Sequence, residues 1–225
     1  MEIGKLIVME GACDGIGKTT QYKLLKEHLL KDGKMVVSHH FPSYGTYQGA
    51  AVEHYLKGNF GAPKDLSPYF INSLYAVDRG VSWHNELKKP YDDGSVILLD
   101  RYTTSSLIYQ SALIEDTEDK KSFINYVLDF EYQKMGIKAP DEVIFLHAPF
   151  DLVTEMRNAR KENEGLANDV HEGNLEFMRK VYESALFVAD YLSWNKIECN
   201  DGEKMRDRED IHEEIYSHIL RKNFK

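Results

Sequence analysis

Five short apolar runs are spaced along the chain, at residues 5–10, 34–41, 95–101, 142–148 and 195–199, with long helical stretches between them. Alternation of this kind predicts an α/β fold. The first, third and fourth runs are near-continuous in Val, Ile and Leu, which suits parallel strands buried on both faces, so helices must cover both sides of the sheet. From Lys18 to about Lys31 the chain carries Leu25 and Leu29 four residues apart and then meets Asp32-Gly33, which predicts a helix with a glycine stop. Met178, Val181, Tyr182, Ala185, Ala189 and Leu192 recur at helical spacing within 175–193, a stripe expected to pack against the sheet. Between 161 and 174 the apolar period fades among Glu, Asn and Gly, which predicts a loop, while 58–63 and 90–94 read as turns.

Composition narrows the class. A chain of 225 residues and 26.0 kDa can bury a core without disulfides or metals, so residues 1–225 read as a single domain. Its longest aliphatic runs, such as 96–99, are far too short to span a membrane, and the apolar stretch ending at Glu10 is too short and badly flanked for a secretory signal, so a cytosolic protein is expected. The formal net charge of −9, from 28 Lys plus Arg against 37 Asp plus Glu, argues against nonspecific binding to nucleic acid or to an anionic membrane. A small phosphate ligand remains open, because convergent amides and cations act within a screening length of about 10 Å whatever the global sign. Cys13 and Cys199 are far apart and are expected as reduced thiols. The nine histidines contain no HExxH, and His39 and His40 point to opposite faces of a strand, so no structural zinc is expected.

The candidate chemistry begins at Gly11-Ala-Cys-Asp-Gly-Ile-Gly-Lys-Thr-Thr20, directly after one apolar strand and directly before an amphipathic helix. This context predicts a phosphate-binding loop. Glycines let backbone N–H groups turn inward around phosphate oxygens, and the helix N-terminus adds positive potential. Lys18 can reach the β and γ phosphates, and Thr19 can ligate Mg²⁺. The spacing is irregular: five residues separate Gly11 from Gly17, and the usual four are counted only from Ala12. A second feature is Val96-Ile-Leu-Leu-Asp-Arg-Tyr102, where a buried strand ends in a carboxylate and a guanidinium facing that loop. Asp100 can hold Mg²⁺ through water and Arg101 can clamp a phosphate bidentately, a geometry lysine cannot copy; the bland alternative is a structural salt bridge.

With these residues in view the chain resembles the thymidylate kinases of the nucleoside monophosphate kinase group, over nearly its full length. The matching segments are Glu10-Gly11, Asp14-Gly15-Ile16-Gly17-Lys18-Thr19-Thr20-Gln21, Phe41-Pro42-Ser43-Tyr44-Gly45, Leu74-Tyr75-Ala76-Val77-Asp78-Arg79, Asp100-Arg101-Tyr102 with Ser105-Ser106 and Tyr109-Gln110, and Asp169-Val170-His171-Glu172. The resemblance implies a P-loop NTPase-type three-layer sandwich with a five-stranded parallel sheet, a homodimer, and transfer of the ATP γ-phosphoryl to dTMP with Mg²⁺. It implies an ATP site at Cys13, Asp14, Gly15, Ile16, Gly17, Lys18, Thr19 and Thr20, with Thr19 and Asp100 toward the metal. On the acceptor side Tyr75 would stack on thymine, Arg79 would face a base carbonyl, Ser105 or Ser106 would bond the base edge, and Tyr109 would sit beneath the deoxyribose. Phe41 and Tyr44 would wall the site, Arg101 would hold the acceptor phosphate, and Asp14 would contact the sugar or organise the phosphate's surroundings. Seen singly, Tyr75 and Phe41 can equally be core aromatics, Ser105 a helix cap, and Arg79 the partner of Asp78 or a surface acid.

Three positions depart from the family pattern. The chain has an extra residue before Asp14, Ser43 stands where many relatives carry arginine, and Gly15 stands where one subgroup carries a catalytic arginine. Relatives with glycine there usually supply the cation from a lid, which makes Arg157, Arg160 and Lys161 the candidates and 157–172 the lid; a solvated basic helix end is the alternative. Three other functions compete. A GTPase is a poor fit, since Asn195-Lys196-Ile197-Glu198 only approaches NKxD and opens a strand. A deoxynucleoside kinase would share the loop but want a base for its acceptor hydroxyl, and a catalytically idle nucleotide-binding module is permitted by the irregular loop and Ser43.

Overall fold

The computed structural model describes residues 4–164, 175–202 and 204–223. β1 (Lys5–Gly11) leads into α1 (Lys18–Lys31) and β2 (Val36–His40), and α2 (Ala50–Leu56) and α3 (Pro68–Ser82) follow. A π-helical turn, Trp83–Leu87, joins α3 to α4 (Lys88–Asp92), and β3 (Val96–Asp100) comes next. After α5 (Thr103–Tyr109), α6 (Thr117–Leu128) ends in a second π-helical turn, Asp129–Lys134, ahead of β4 (Glu142–His147). α7 (Phe150–Glu164), α8 (Leu175–Tyr191), β5 (Asn195–Glu198) and α9 (Arg208–Asn223) follow in that order.

All five strands pair in parallel in the order β2-β3-β1-β4-β5, which is the expected five-stranded parallel sheet with helices around it. The three runs richest in Val, Ile and Leu are the three interior strands, as burial on both faces requires. Alternation along each strand divides the core in two. Ile7, Met9, Leu98, Ile144 and Leu146 face Leu25 and Leu29 of α1 and Ile211, Ile215 and Ile219 of α9, whereas Leu6, Val8, Ile97 and Leu99 face Trp83, Leu87 and Tyr102. Each such fully buried aliphatic side chain contributes roughly 1.5–3 kcal/mol. On α8 the expected stripe is buried at Met178, Val181, Ala185 and Ala189, half-buried at Tyr182 and Leu192, and widened by Ser184 and Val188.

Two local expectations are corrected. Helix α7 runs on to Glu164, so 161–164 is helical where a loop was expected; Lys and Glu there favour helix without any apolar period. Residues 165–174 of that loop, and with them 165–172 of the expected lid, lie outside the described residues. Pro90 lies inside α4, which continues directly from the π-helical turn, and the reversal falls at Gly94, whose φ of 93° suits glycine.

From β1 the chain departs toward β2 on one side, and from the adjacent β3 it departs toward β4 on the other. The loops at the carboxyl ends of β1 and β3 therefore diverge and leave a crevice between them, the place where sheets of this type bind ligands. In register, Met9 and His40 both lie opposite Asp100, so Gly11, His40 and Asp100 end their strands at one edge.

Candidate active site

The loop between β1 and α1 begins inside the sheet, where the Ala12 N–H donates to the Leu146 carbonyl at 2.9 Å. Ile16 folds back over the start of the loop, and a Cβ on Gly11 would lie 2.7 Å from its Cγ2. Gly15 and Gly17 take φ of 97° and 93°, a region other residues enter only with strain. The free N-terminus of α1 has no acidic residue in its first turn, so its unpaired N–H groups and dipole favour an anion. Thr19 and Thr20 are exposed there, whereas Lys18 is buried in an ion pair with Asp100. Burial opposes the charge on Asp100, but a hydrogen bond from His40 (Nδ1 to Oδ2, 3.2 Å) and the Lys18 ammonium overcome it and hold the carboxyl well below the ordinary range.

Asp14 pairs with Arg101 and accepts a 3.2 Å hydrogen bond from the Tyr109 hydroxyl. Burial works against its charge too, and Arg101, Lys18 and Tyr109 together keep it ionised below the usual carboxylate range. Arg101 stands in the left-handed region at φ 66°, a conformation costing about 1–3 kcal/mol for a residue with a side chain. What holds it there is polar: its Nη1 lies 3.6 Å from Glu10 and donates to Ser105 at 3.3 Å, and its guanidinium carbon lies 5.6 Å from the Tyr109 ring centre. Glu10 is fully buried and accepts from Thr104 at 2.9 Å and Ser105 at 2.6 Å.

Arg79 has neither of its expected alternative partners. Its Nε and Nη2 donate to the two carboxylate oxygens of Glu131 at 2.7 and 2.6 Å, and Nη2 also reaches Ser106 at 2.9 Å and Asn72 at 3.3 Å. The second π-helical turn swings Glu131 inward to make this buried pair, and Thr103 donates to the same carboxylate at 2.8 Å. Tyr75 is half-buried, set edge-on to Tyr55 with centroids 6.2 Å apart. Ser105 lies within α5 and caps nothing.

A cleft of about 260 Å³ opens among these groups. All nine residues expected on the acceptor side, Asp14, Phe41, Tyr44, Tyr75, Arg79, Arg101, Ser105, Ser106 and Tyr109, line it. So do His40, Pro42, Leu56, Tyr102 and Gln110, which sequence reasoning did not assign. None of Gly15–Thr20 lines it; the loop reaches it through Asp14, and the Lys18–Asp100 pair lies behind His40, which does line it. Cys13 is buried, and burial with the Asp14 charge pushes its thiol up to about 12, so it stays protonated and inert.

Ser43 does not face the cleft. It is buried beneath it, where its N–H donates to Asp78 at 2.8 Å and its hydroxyl meets His39 at 2.9 Å and Ser82 at 3.2 Å. At Gly15 a Cβ would lie 3.2 Å from the Cβ of Arg157, so α7 packs directly against the phosphate loop, and glycine is required there by contact as well as by φ. Arg157 Nε is buried without a hydrogen-bond partner among the described residues. The side chains of Arg160 and Lys161 lie outside the described residues.

Residues 9–215 match the family model described as thymidylate kinase. A thymidylate kinase of Thermoanaerobacter sp. (strain X514) is 31% identical over 193 residues, 82% of this chain and 89% of that protein. One of Plasmodium falciparum (isolate 3D7) is 29% identical over 221 residues, 97% of this chain and 90% of that protein. Among solved structures, thymidylate kinase from Candida albicans superposes with a TM-score of 0.71 over 97% of this chain and 92% of its own, at 20% identity, a likeness of fold.

Proposed function

The chain belongs to the thymidylate kinase family, and we propose how its residues carry out that family's reaction, transfer of the ATP γ-phosphoryl group to dTMP to give dTDP and ADP. It is an enzyme of the nucleoside monophosphate kinase type, with ATP as donor and dTMP as acceptor. The observation that carries the assignment of roles is the convergence of nine acceptor-side residues on one cleft beside Lys18 and the open N-terminus of α1.

Phosphoryl transfer needs little covalent help from a protein; it needs two anionic nucleotides aligned and the charge between them neutralised. The loop amides from Cys13 to Thr20 cradle the ATP phosphates, and Lys18, released from Asp100 by the incoming γ-phosphate, follows the transferring group. Arg101 holds the dTMP phosphate, its backbone strain and its acidic neighbours keeping the guanidinium aimed before any ligand arrives. Asp14 and Tyr109 lie beneath the sugar, Tyr75 stacks on the base, Phe41 and Tyr44 close the wall, and Arg79 and Ser106 present hydrogen-bond donors to the base edge. Arg157 supplies the cation that the loop lacks at Gly15, with Arg160 as its companion on the same helix; closure of this lid would exclude water.

The Thr19 hydroxyl, exposed at the start of α1, and the ionised Asp100 carboxylate at the end of β3 are hard-oxygen groups of the kind that hold Mg²⁺. With ATP bound, these groups would hold the ion, which would supply charge neutralisation to the phosphates. A nucleoside acceptor is disfavoured, because its hydroxyl would want a free carboxylate base, and Glu10 and Asp14 are occupied by hydroxyls and by Arg101. The test is ADP formation from Mg-ATP with dTMP, dUMP, dGMP, dCMP, UMP and thymidine. Preference for dTMP is expected, and a clear preference for thymidine or a purine monophosphate overturns the reading.

A homodimer is supported by the outward face of α3 and α6, where Tyr69, Phe70, Val77 and Tyr126 are each more than 40% exposed. Sedimentation at micromolar concentration would show a monomer if this is wrong. No helix among the described residues is long and apolar enough to cross a membrane. A cytosolic setting fits two unpaired, buried cysteines and substrates that are found there.

A further inference from the structure

On the face of α1 turned away from the cleft, the last turn of that helix meets the first turns of α9. His28 Nδ1 and His212 Nε2 lie 2.9 Å apart, and a carboxylate oxygen of Glu213 lies within 4.8 Å of a nitrogen on each ring. The His28 ring is clamped by stacking on Tyr216, with centroids 3.5 Å apart and planes 10° from parallel, and the Tyr216 hydroxyl is itself fixed by donating to Asp32. His212 is more than nine-tenths buried, and its Nδ1 has no hydrogen-bond partner among the described residues, so its contact toward His28 is what orients the ring.

We propose that His28, His212 and Glu213 form a site for a divalent transition-metal ion of the Zn²⁺ class, staples α9 to α1, and lies outside the catalytic cleft. A tetrahedral ion with nitrogen ligands at about 2.0–2.1 Å needs donor atoms separated by about 3.3 Å, and the two imidazole nitrogens already stand within half an ångström of that spacing. Only one proton fits between them; for a metal to take a lone pair from each ring, the ring that donates must move that proton to its other nitrogen. Glu213 is exposed and free to swing into the third position, and solvent supplies the fourth. Two nitrogens and one oxygen suit Zn²⁺ and not Mg²⁺, so the ion that accompanies ATP does not compete. The sequence carried no sign of this site because its ligands are 184 residues apart and follow no metal-binding spacing. The clamp would act on the helix that begins at Lys18, alongside the 2.8 Å hydrogen bond from Gln21 to the Arg208 carbonyl.

The test titrates the full chain, stripped of metal by chelator, with Zn²⁺ alone, reading calorimetric stoichiometry and thermal stability for the native protein, His28→Gln, His212→Gln and Glu213→Gln. One ion per chain is expected, with melting raised by about 5 °C or more once Zn²⁺ exceeds its dissociation constant about a hundredfold. Either histidine variant should weaken binding by more than about a hundredfold, since even the outer partners of metal ligands are worth about ten- to a hundredfold. His28→Gln, on a half-exposed side chain that does not line the cleft, should keep its rate in zinc-free Mg-ATP, which shows that it folds. Absence of stabilisation in the native protein, or equal Zn²⁺ affinity in His28→Gln, overturns the proposal whatever the substrate panel shows.

Discussion

At the base end of the cleft Arg79 meets Glu131 through two hydrogen bonds and neither side chain is more than 2% exposed, whereas at the phosphate end Arg101 divides its guanidinium among Asp14, Glu10 and Ser105 and stays 18% exposed. The first cation is neutralised by one matched partner before any ligand arrives. The second is shared among groups that a phosphate can replace or join. An uncharged base and a dianionic phosphate call for these opposite arrangements. A fixed, neutralised donor array reads hydrogen-bond direction, while a guanidinium shared among several partners and left partly exposed can take up the charge of a phosphate. Lys18 follows the second pattern, since its ion pair with Asp100 is one that a γ-phosphate can displace.

The comparison breaks most visibly at Lys18. Lys18→Ala should lower kcat about a thousandfold, a loss of about 4 kcal/mol in transition-state stabilisation, without unfolding the chain. The lysine is buried against Asp100 instead of standing in solvent, but the carboxylate keeps His40 at 3.2 Å when the ammonium is gone. A near wild-type rate of ADP formation would remove the loop from the donor site.

At the base end the expected effect is on stability. Glu131→Ala should cost about 3–5 kcal/mol in denaturant melts, because it strands the Arg79 charge in the core. Replacing the pair together, Arg79→Met with Glu131→Leu, should recover most of that stability while losing discrimination between dTMP and the other monophosphates. If the single change costs less than about 1 kcal/mol, the base end is wetter than described.

Arg157→Ala should lower kcat by about ten- to a hundredfold and change the dTMP KM little, because a lid cation acts on the transferring group. Running Arg160→Ala beside it shows which of the two dominates. An unchanged rate in both would take the lid out of the mechanism.

The smallest effect concerns pH. Burial lowers the pKa of His39, His147 and His212 in the folded chain, so the unfolded chain binds more protons as pH falls through about 6.5. Stability is complete above that value and declines below it. The depressed pKa values of Asp14 and Asp100 protect their own contributions until the pH nears about 4, so a fall in melting temperature between about pH 7 and pH 5 reports the histidines. A flat profile across that window would contradict the burial of these three rings.

Much of the fold was legible because apolar runs of strand length carry their own evidence of burial: Ile7, Leu98 and Ile144 sit in strands whose composition permits little else. The phosphate loop was legible for a similar reason, since glycines at positions of positive φ announce a backbone that other residues resist. Glu131 was not legible. A lone glutamate on a polar helix reads as solvated, and only a π-helical turn, which has no periodic signature, brings it under Arg79. Ser43 misled in the other direction, because its place in the motif suggests the cleft while its hydroxyl turns beneath it toward His39 and Ser82.

The sequence by itself determined an α/β chain with a phosphate loop between its first strand and first helix, because periodicity and glycine placement are local properties that each segment expresses alone. Which polar side chains meet was settled only in three dimensions: Lys18 with Asp100, Arg101 with Asp14, Arg79 with Glu131, and the His28 ring with that of His212. Those pairings join residues dozens to nearly two hundred positions apart, and charge interactions depend on distance and burial in three dimensions, quantities that position along a chain does not encode.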